Sequence, residues 1–224
     1  MIKIFINSNY INKMKLIETS NYWIYNNILI IKCEFDEDIT TIDIDNNIIT
    51  QLFFTNYDDI EYTIESINNN LDGYETYSKF NYPIDNLLNK WLPKNVNCLT
   101  FGYSFNQTVD NLPRMITHLN FGWNFNQTVD NLPHIITHLK FGENFNQTVD
   151  NLPHMITHLI FGGYFNQSVD NLPNSIIEIF FSQWVNAKFQ NLLNCLPNSI
   201  EKITLNPNYK LPIKYIPKNL KQIM

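Results

Sequence analysis

The stretch that decides the fold runs from Ile116 to Pro133 and reads ITHLNFGWNFNQTVDNLP. It returns at 136–153 as ITHLKFGENFNQTVDNLP and at 156–173 as ITHLIFGGYFNQSVDNLP, a period of 20 residues. Self-similarity at a fixed short period is typical of a repeat protein in which each unit packs on its neighbours. A unit of this length is too short for two helices, so it predicts one short strand and an irregular return in each coil.

An apolar triplet at relative positions 1, 4 and 6 of the unit extends the pattern in both directions. The copies are Ile49/Leu52/Phe54, Leu71/Tyr74/Thr76, Val96/Leu99/Phe101, Ile116/Leu119/Phe121, Ile136/Leu139/Phe141, Ile156/Leu159/Phe161, Ile176/Ile179/Phe181 and Ile200/Ile203/Leu205, then a truncated Leu220/Ile223 and an earlier Ile28/Ile31/Cys33. We therefore predict parallel strands near 49–54, 96–101, 116–121, 136–141, 156–161, 176–181 and 200–205. The expected organisation is one continuous solenoid: a cap at 1–27, irregular early coils at 28–95, and regular repeats with a C-terminal cap at 96–224.

Alternation along a strand assigns the core of each coil. If Leu119 and Phe121 point inward, His118 and Asn120 point outward, and the same positions of successive coils form columns. The Leu-Pro of each unit excludes a central strand at that place, because proline has no backbone donor. The glycine after each strand phenylalanine, as in Gly122, is expected to permit a tight turn.

These residues resemble the FNIP repeat family, which is related to leucine-rich repeats. The hallmark appears as FNQ at 105–107, 125–127, 145–147 and 165–167, each followed by Leu-Pro, and as FNYP at 80–83. The resemblance implies a mainly β, single-domain, leucine-rich-repeat-like solenoid with one parallel sheet and coils of about 20–25 residues, used for protein interaction. The family is known mainly from slime moulds and giant DNA viruses of amoebae, so we expect a viral protein that acts inside the host or source cell, in its cytoplasm. Some relatives carry an N-terminal F-box, but the first 40 residues lack its pattern, so no ligase role is expected.

Composition excludes several classes of partner. The formal net charge is −6, with 15 basic and 21 acidic residues, which disfavours nucleic acid and anionic membranes. The longest apolar run, at 28–31, is too short to span a bilayer, and the N-terminus lacks the pattern of a signal peptide. The three cysteines Cys33, Cys98 and Cys195 are scattered, which predicts reduced thiols in an intracellular protein.

Four polar columns invite chemical interpretations. We expect the first column to be a structural ladder in which each amide bonds its own and the next coil: Asn106, Asn126, Asn146 and Asn166. The second column, Asp110, Asp130, Asp150 and Asp170, could bind a cation or accept backbone N–H groups. The third, His118, His138 and His158, could suggest zinc, but one residue copied along an axis favours a stacked, solvated ladder whose members disfavour each other's charge; His134 and His154 form another such column.

No catalytic motif is present, so we expect no enzyme activity, no metal and no cofactor. The expected function is a non-catalytic protein–protein interaction scaffold. Its partner would dock on the outward strand face, where the copied framework varies: Trp123, Lys140, Ile160, Tyr164 and Phe180. The alternatives left open are a structural or self-assembling, virion-associated protein and a carbohydrate-active or metal-binding solenoid.

Overall fold

A computed structural model describes residues 3–5, 16–32, 34–35, 49–55, 79–81, 95–182, 196–205 and 215–224. Every regular element in these ranges is a β-strand. The strands are β1 (Lys3–Phe5), β2 (Leu16–Glu18), β3 (Tyr22–Tyr25), β4 (Ile28–Ile31), β5 (Gln51–Phe54), β6 (Cys98–Thr100), β7 (His118–Asn120), β8 (His138–Lys140), β9 (His158–Phe161), β10 (Glu178–Phe181), β11 (Lys202–Thr204) and β12 (Gln222–Ile223).

All twelve strands form one sheet in chain order. From β4 to β12 every neighbouring pair is parallel, as the repeat predicts, because each coil returns to start its strand beside the previous one. Strands β1 to β4 are antiparallel to one another, since their chain reverses without completing a coil. The mainly β, leucine-rich-repeat-like solenoid is therefore confirmed, with an antiparallel extension at the N-terminal end of its sheet.

The core consists of stacked columns of identical side chains. Consecutive strand phenylalanines from Phe101 to Phe181 have ring centroids 5.5–5.9 Å apart. Within one coil the strand ring and the FNQ ring lie closer still, for example 3.7 Å between Phe121 and Phe125. Since both rings are at most 3 % exposed, each contributes roughly 1.5–3 kcal/mol of apolar burial. A single coil could not bury these faces alone, so the stack is the folding unit.

One prediction about the early coils needs correction, and another cannot be compared with the described residues. The triplet Ile28/Ile31/Cys33 is displaced by two residues, because Leu29 pairs with Leu52 and Ile31 with Phe54. The triplet Leu71/Tyr74/Thr76 lies outside the described residues, and among the described strands β5 pairs directly with β6. Phe80 stacks on Phe54 at 4.3 Å, which places it as the FNQ-type phenylalanine of the coil that begins with β5.

The glycine column has a different cause from the one that the sequence suggests. No glycine among the described residues has a positive φ, so left-handed backbone is not what selects it. A Cβ placed on Gly142 would lie 1.9 Å from the carbonyl oxygen of Gly122, and one on Gly162 would lie 2.0 Å from that of Gly142. The preceding coil therefore lies too close for a side chain at Gly122, Gly142 and Gly162, whereas other coils carry Thr55 and Ser182 after the strand phenylalanine.

Candidate interaction surface

Three of the five predicted partner-binding residues form one row on the outward strand face. Lys140 pairs with Ile160, and Ile160 pairs with Phe180, so their side chains stand side by side across β8, β9 and β10. Phe180 is 36 % exposed, whereas the inward neighbour Phe181 is buried. We call the outward side of β7 to β11 the strand face.

The other two predicted residues lie beyond the end of the strand. Trp123 stacks on Tyr103 with ring centroids 5.8 Å apart and is half-buried. Tyr164 is 59 % exposed and lines a groove with Asn124 and Asn144. The structure therefore places Lys140, Ile160 and Phe180 in one row, Trp123 in a stack with Tyr103, and Tyr164 at a groove.

The His column occupies the strand face beside that row. His118, His138 and His158 are in register, and their ring centroids are 4.2 and 4.3 Å apart. Each Nδ1 lies 2.9 Å from the hydroxyl of the preceding threonine, and each hydroxyl contacts a backbone carbonyl oxygen of the previous coil at 3.1–3.2 Å. A hydroxyl has one hydrogen, which it donates to that carbonyl, so the imidazole Nδ1–H donates to the hydroxyl. Each neutral ring consequently presents an unprotonated Nε2.

Two members of the His column, His118 and His138, have a lowered pKa. Burial, and then repulsion from a charged His118 or His158, lower the pKa of His138 to about 4. The pKa of His118 is also lowered, first by burial and then by His158. This is the stacked ladder expected from the sequence, in which neighbouring rings disfavour each other's charge.

The same outward row continues on both sides of the histidines. Cys98 precedes His118, and burial raises the pKa of its thiol, so it is a poor nucleophile. Cys33 and Cys195 lie outside the described residues. After His158 comes Glu178, whose carboxylate accepts a 3.1 Å bond from Lys202. Sequence reasoning missed this ion pair because Glu178 and Lys202 are 24 residues apart and only the register joins them.

The Asn ladder is a continuous hydrogen-bonded chain between coils. The backbone N–H of Asn126 donates to Oδ1 of Asn106 at 2.9 Å, and that of Asn146 donates to Oδ1 of Asn126 at 2.9 Å. Asn166 continues the chain with a 2.8 Å bond to Asn146, and Asn81 begins it by accepting the N–H of Asn106 at 2.8 Å. The side chains are half-buried or exposed rather than fully buried, so the ladder stands at the surface.

The Asp column makes side-chain contacts that the sequence did not predict. Oδ1 of Asp110, Asp130 and Asp150 each accepts the side-chain amide of an asparagine in the next coil, at 3.1 Å. These side chains are exposed, and an amide hydrogen lies against each carboxylate, which reduces repulsion along the column. Among the described residues, no group of three or more His, Cys, Asp or Glu is placed to hold a metal ion.

A second apolar cluster covers the outward side of the sheet at its N-terminal end. Ile28, Ile30 and Trp23 are buried there, with Tyr25 and Phe53 packed against them. All four residues of β4 are buried, so this strand is covered on both faces. The unbroken apolar run at 28–31 is the signal that could have predicted this. The part of the chain that the structure describes has no helix that could cross a membrane.

Comparison with known proteins agrees with this architecture. A family model described as FNIP Repeat matches residues 108–144 and 145–183, in tandem. No curated protein matches the chain. A solved structure, described as the crystal structure of CroV588, a novel circular LRR protein, is similar over 91 % of this chain at 27 % identity, with a TM-score of 0.51. This chain covers 41 % of that one, so it spans about two fifths of the protein it matches. The protein therefore carries FNIP repeats in tandem and adopts a leucine-rich-repeat-like solenoid fold.

Proposed function

We propose that the protein is a non-catalytic binding module whose protein partner docks across the strand face. The observation that supports this most is the register of Lys140, Ile160 and Phe180, which places a cation, a β-branched side chain and an aromatic ring in adjacent strands. Their strands are about 4.7–4.9 Å apart in a continuous parallel ladder, so the platform is rigid before binding. A rigid surface loses little conformational freedom on association, which favours affinity.

The repeated columns argue against catalysis at this face. An active site needs different groups converging on one reacting atom, whereas the imidazoles of this face repeat at one position over three coils. The stacked imidazoles point the same way rather than toward a common point, with interplanar angles of 10° and 7°. We therefore interpret the strand face as a contact surface, with no metal and no cofactor required.

Affinity capture with the purified protein, followed by mass spectrometry, identifies the partner, and variants then locate its site. Phe180→Ala should weaken the captured partner by about 2 kcal/mol or more with little change in melting temperature, because Phe180 is exposed in the free protein. Leu139→Ala, at 2 % exposure, should instead destabilise the fold by roughly 2–5 kcal/mol through a core cavity. Trp123→Ala should also weaken the partner, although it removes a stacking contact with Tyr103 as well.

Unchanged affinity in both aromatic variants would assign the partner to another surface. Self-assembly is a second candidate function, because the solved structure that this chain resembles is described as circular. Light scattering coupled to size exclusion separates the two candidates. A mass of one copy at all concentrations supports the binding module, and a mass that grows with concentration supports assembly.

A further inference from the structure

A shallow groove runs along the regular coils beside the ends of the strands, away from the strand face. One wall is formed by the Asn ladder residues Asn106, Asn126 and Asn146. The other wall is formed by the residues just before the FNQ phenylalanines, which are Ser104, Asn124, Asn144 and Tyr164. None of the residues lining this Asn groove is charged, which favours an uncharged ligand.

The asparagine side chains of the ladder wall offer only hydrogen-bond donors. Oδ1 of Asn126 already accepts two bonds, from the N–H of Asn146 at 2.9 Å and from Nε2 of Gln147 at 3.1 Å. A carbonyl oxygen has two lone pairs, so both are used. Within the described ranges the Nδ2 amino group of Asn126 donates to no protein acceptor. The same pattern holds at Asn106 and Asn146, so three amino groups face the groove in a row.

A donor-only wall selects a ligand that presents acceptors in a row and few donors. The main chain of a proline-rich peptide has this chemistry, because each residue keeps its carbonyl oxygen and each proline lacks an N–H. Such a peptide adopts the polyproline II helix, which has no internal hydrogen bonds and leaves every carbonyl available. An ordinary extended strand would bring N–H groups to ladder side chains whose Oδ1 atoms already accept two bonds each.

The spacing of the coils agrees with the same helix. Polyproline II has three residues per turn and a rise of about 3.1 Å, so equivalent carbonyls recur about every 9.3 Å. Two coils at about 4.7–4.9 Å each span about 9.4–9.8 Å, so carbonyls one turn apart reach Asn106 and Asn146. In an extended strand, carbonyls on one side recur about every 6.4–6.8 Å, a distance that matches neither the spacing of one coil nor that of two coils.

The Asn groove also ends at an aromatic side chain. Tyr164 is 59 % exposed where the other coils carry Ser104, Asn124 and Asn144. Exposed aromatic rings beside a groove are a recurring means of packing against proline rings. We propose that the Asn groove binds an uncharged, proline-rich peptide segment in the polyproline II conformation, with the ladder amides donating to its carbonyls and Tyr164 packing against a proline.

The test is fluorescence anisotropy with a labelled proline decamer, which is intrinsically polyproline II, titrated with the full chain. Asn126→Asp keeps an acceptor for Asn146 and Gln147, so the ladder is preserved, but it removes the donor. We expect saturable binding by the wild type and a loss of about tenfold or more in Asn126→Asp. Tyr164→Ala, at an exposed position, should weaken binding without changing the melting temperature.

Two matched controls separate the Asn groove from the rest of the surface. Asn120→Asp makes the same chemical change on the strand face and should leave decamer affinity within about twofold. Phe180→Ala should also bind the decamer normally, so failure here and failure of the strand-face proposal are distinguishable. The proposal is overturned if the proline decamer does not bind, if Asn126→Asp binds it as well as the wild type, or if a glycine-serine decamer or a neutral hexasaccharide such as cellohexaose binds equally tightly.

Discussion

Replacing Gly162 with alanine tests the close approach of neighbouring coils. The added Cβ would lie 2.0 Å from the carbonyl oxygen of Gly142, 2.4 Å from its carbonyl carbon and 2.6 Å from Cα of Glu143. These are backbone atoms of the preceding coil, so no side-chain rotation can relieve the contact. Since a Cβ essentially never lies within about 3.0 Å of another heavy atom, the coils must separate by roughly 1 Å at this point.

The loss of stability in Gly162→Ala follows from the hydrogen bonds between coils that this separation breaks. The nearby bond from Tyr164 N–H to the carbonyl oxygen of Glu143 is 3.0 Å and would lengthen beyond hydrogen-bonding distance. Losing one or two such bonds costs about 0.5–1.5 kcal/mol each, and overpacking adds about 1–3 kcal/mol. We expect Gly162→Ala to lower the free energy of unfolding by about 2–5 kcal/mol, measured by urea denaturation followed by circular dichroism.

The adjacent glycine provides the control. Gly163 stands where other coils carry Tyr103, Trp123 and Glu143, so the backbone there accepts a side chain. Gly163→Ala should change stability by less than about 1 kcal/mol, and a compatible Gly→Ala change is commonly stabilising through the unfolded chain. If Gly162→Ala were as stable as Gly163→Ala, the inter-coil contact would not be the reason for glycine at this column.

Further predictions concern stability. Ser175 Oγ donates a 2.7 Å bond to a carbonyl of the preceding coil, so Ser175→Ala should lower the free energy of unfolding by about 1 kcal/mol. Ser199 Oγ is buried without a partner among the described residues, so Ser199→Ala should leave stability unchanged or raise it in urea titrations. Equal losses of stability in the two variants would contradict this difference in hydrogen bonding. The pKa of His138 is about 4 in the folded state and about 6.5 in the unfolded state, so the unfolded state binds the proton first as the pH falls from about 6.5 to about 4. Over this range the free energy of unfolding should fall by on the order of 1 kcal/mol after allowance for solvent screening. His138→Gln should flatten that drop between about pH 7 and about pH 4.5, while His134→Gln, at an exposed position, should not, and a drop unaffected by His138→Gln would exclude the column as its source. Ile30→Ala should cost about 2–5 kcal/mol in the same titrations although Ile30 is on the outward side of the sheet, and a cost below about 1 kcal/mol would show that the second cluster is not packed.

Much of the fold could be predicted because its signals are local. The period of 20 residues and the alternation around Leu119 and Phe121 identify the strand, its inward side chains and the stacked columns, and the observed strand β7 lies within the predicted 116–121. The early coils were less predictable, because the run at 28–31 is apolar at every position. Without alternation of apolar and polar residues, the sequence does not show which side chains point inward or which residues pair in the next strand. The pairing of Leu29 with Leu52 sets that register through neighbours in the sheet.

The candidate sites were only partly predictable. Variation between copies identified Lys140, Ile160 and Phe180, whose adjacency follows from regular spacing. It could not show that Tyr164 lines a different groove, because the direction of a turn side chain depends on backbone geometry rather than on sequence period.

The sequence by itself determined the repeat length, the parallel strands of the regular coils and the residues of the core, because each coil repeats the same local pattern of apolar and polar positions. Only the tertiary structure decided why glycine stands at positions 122, 142 and 162, which lone pairs of the Asn ladder are already used, and which outward side chains share a surface. Those properties depend on distances of 2–6 Å between coils, and such distances exist only once the coils are stacked.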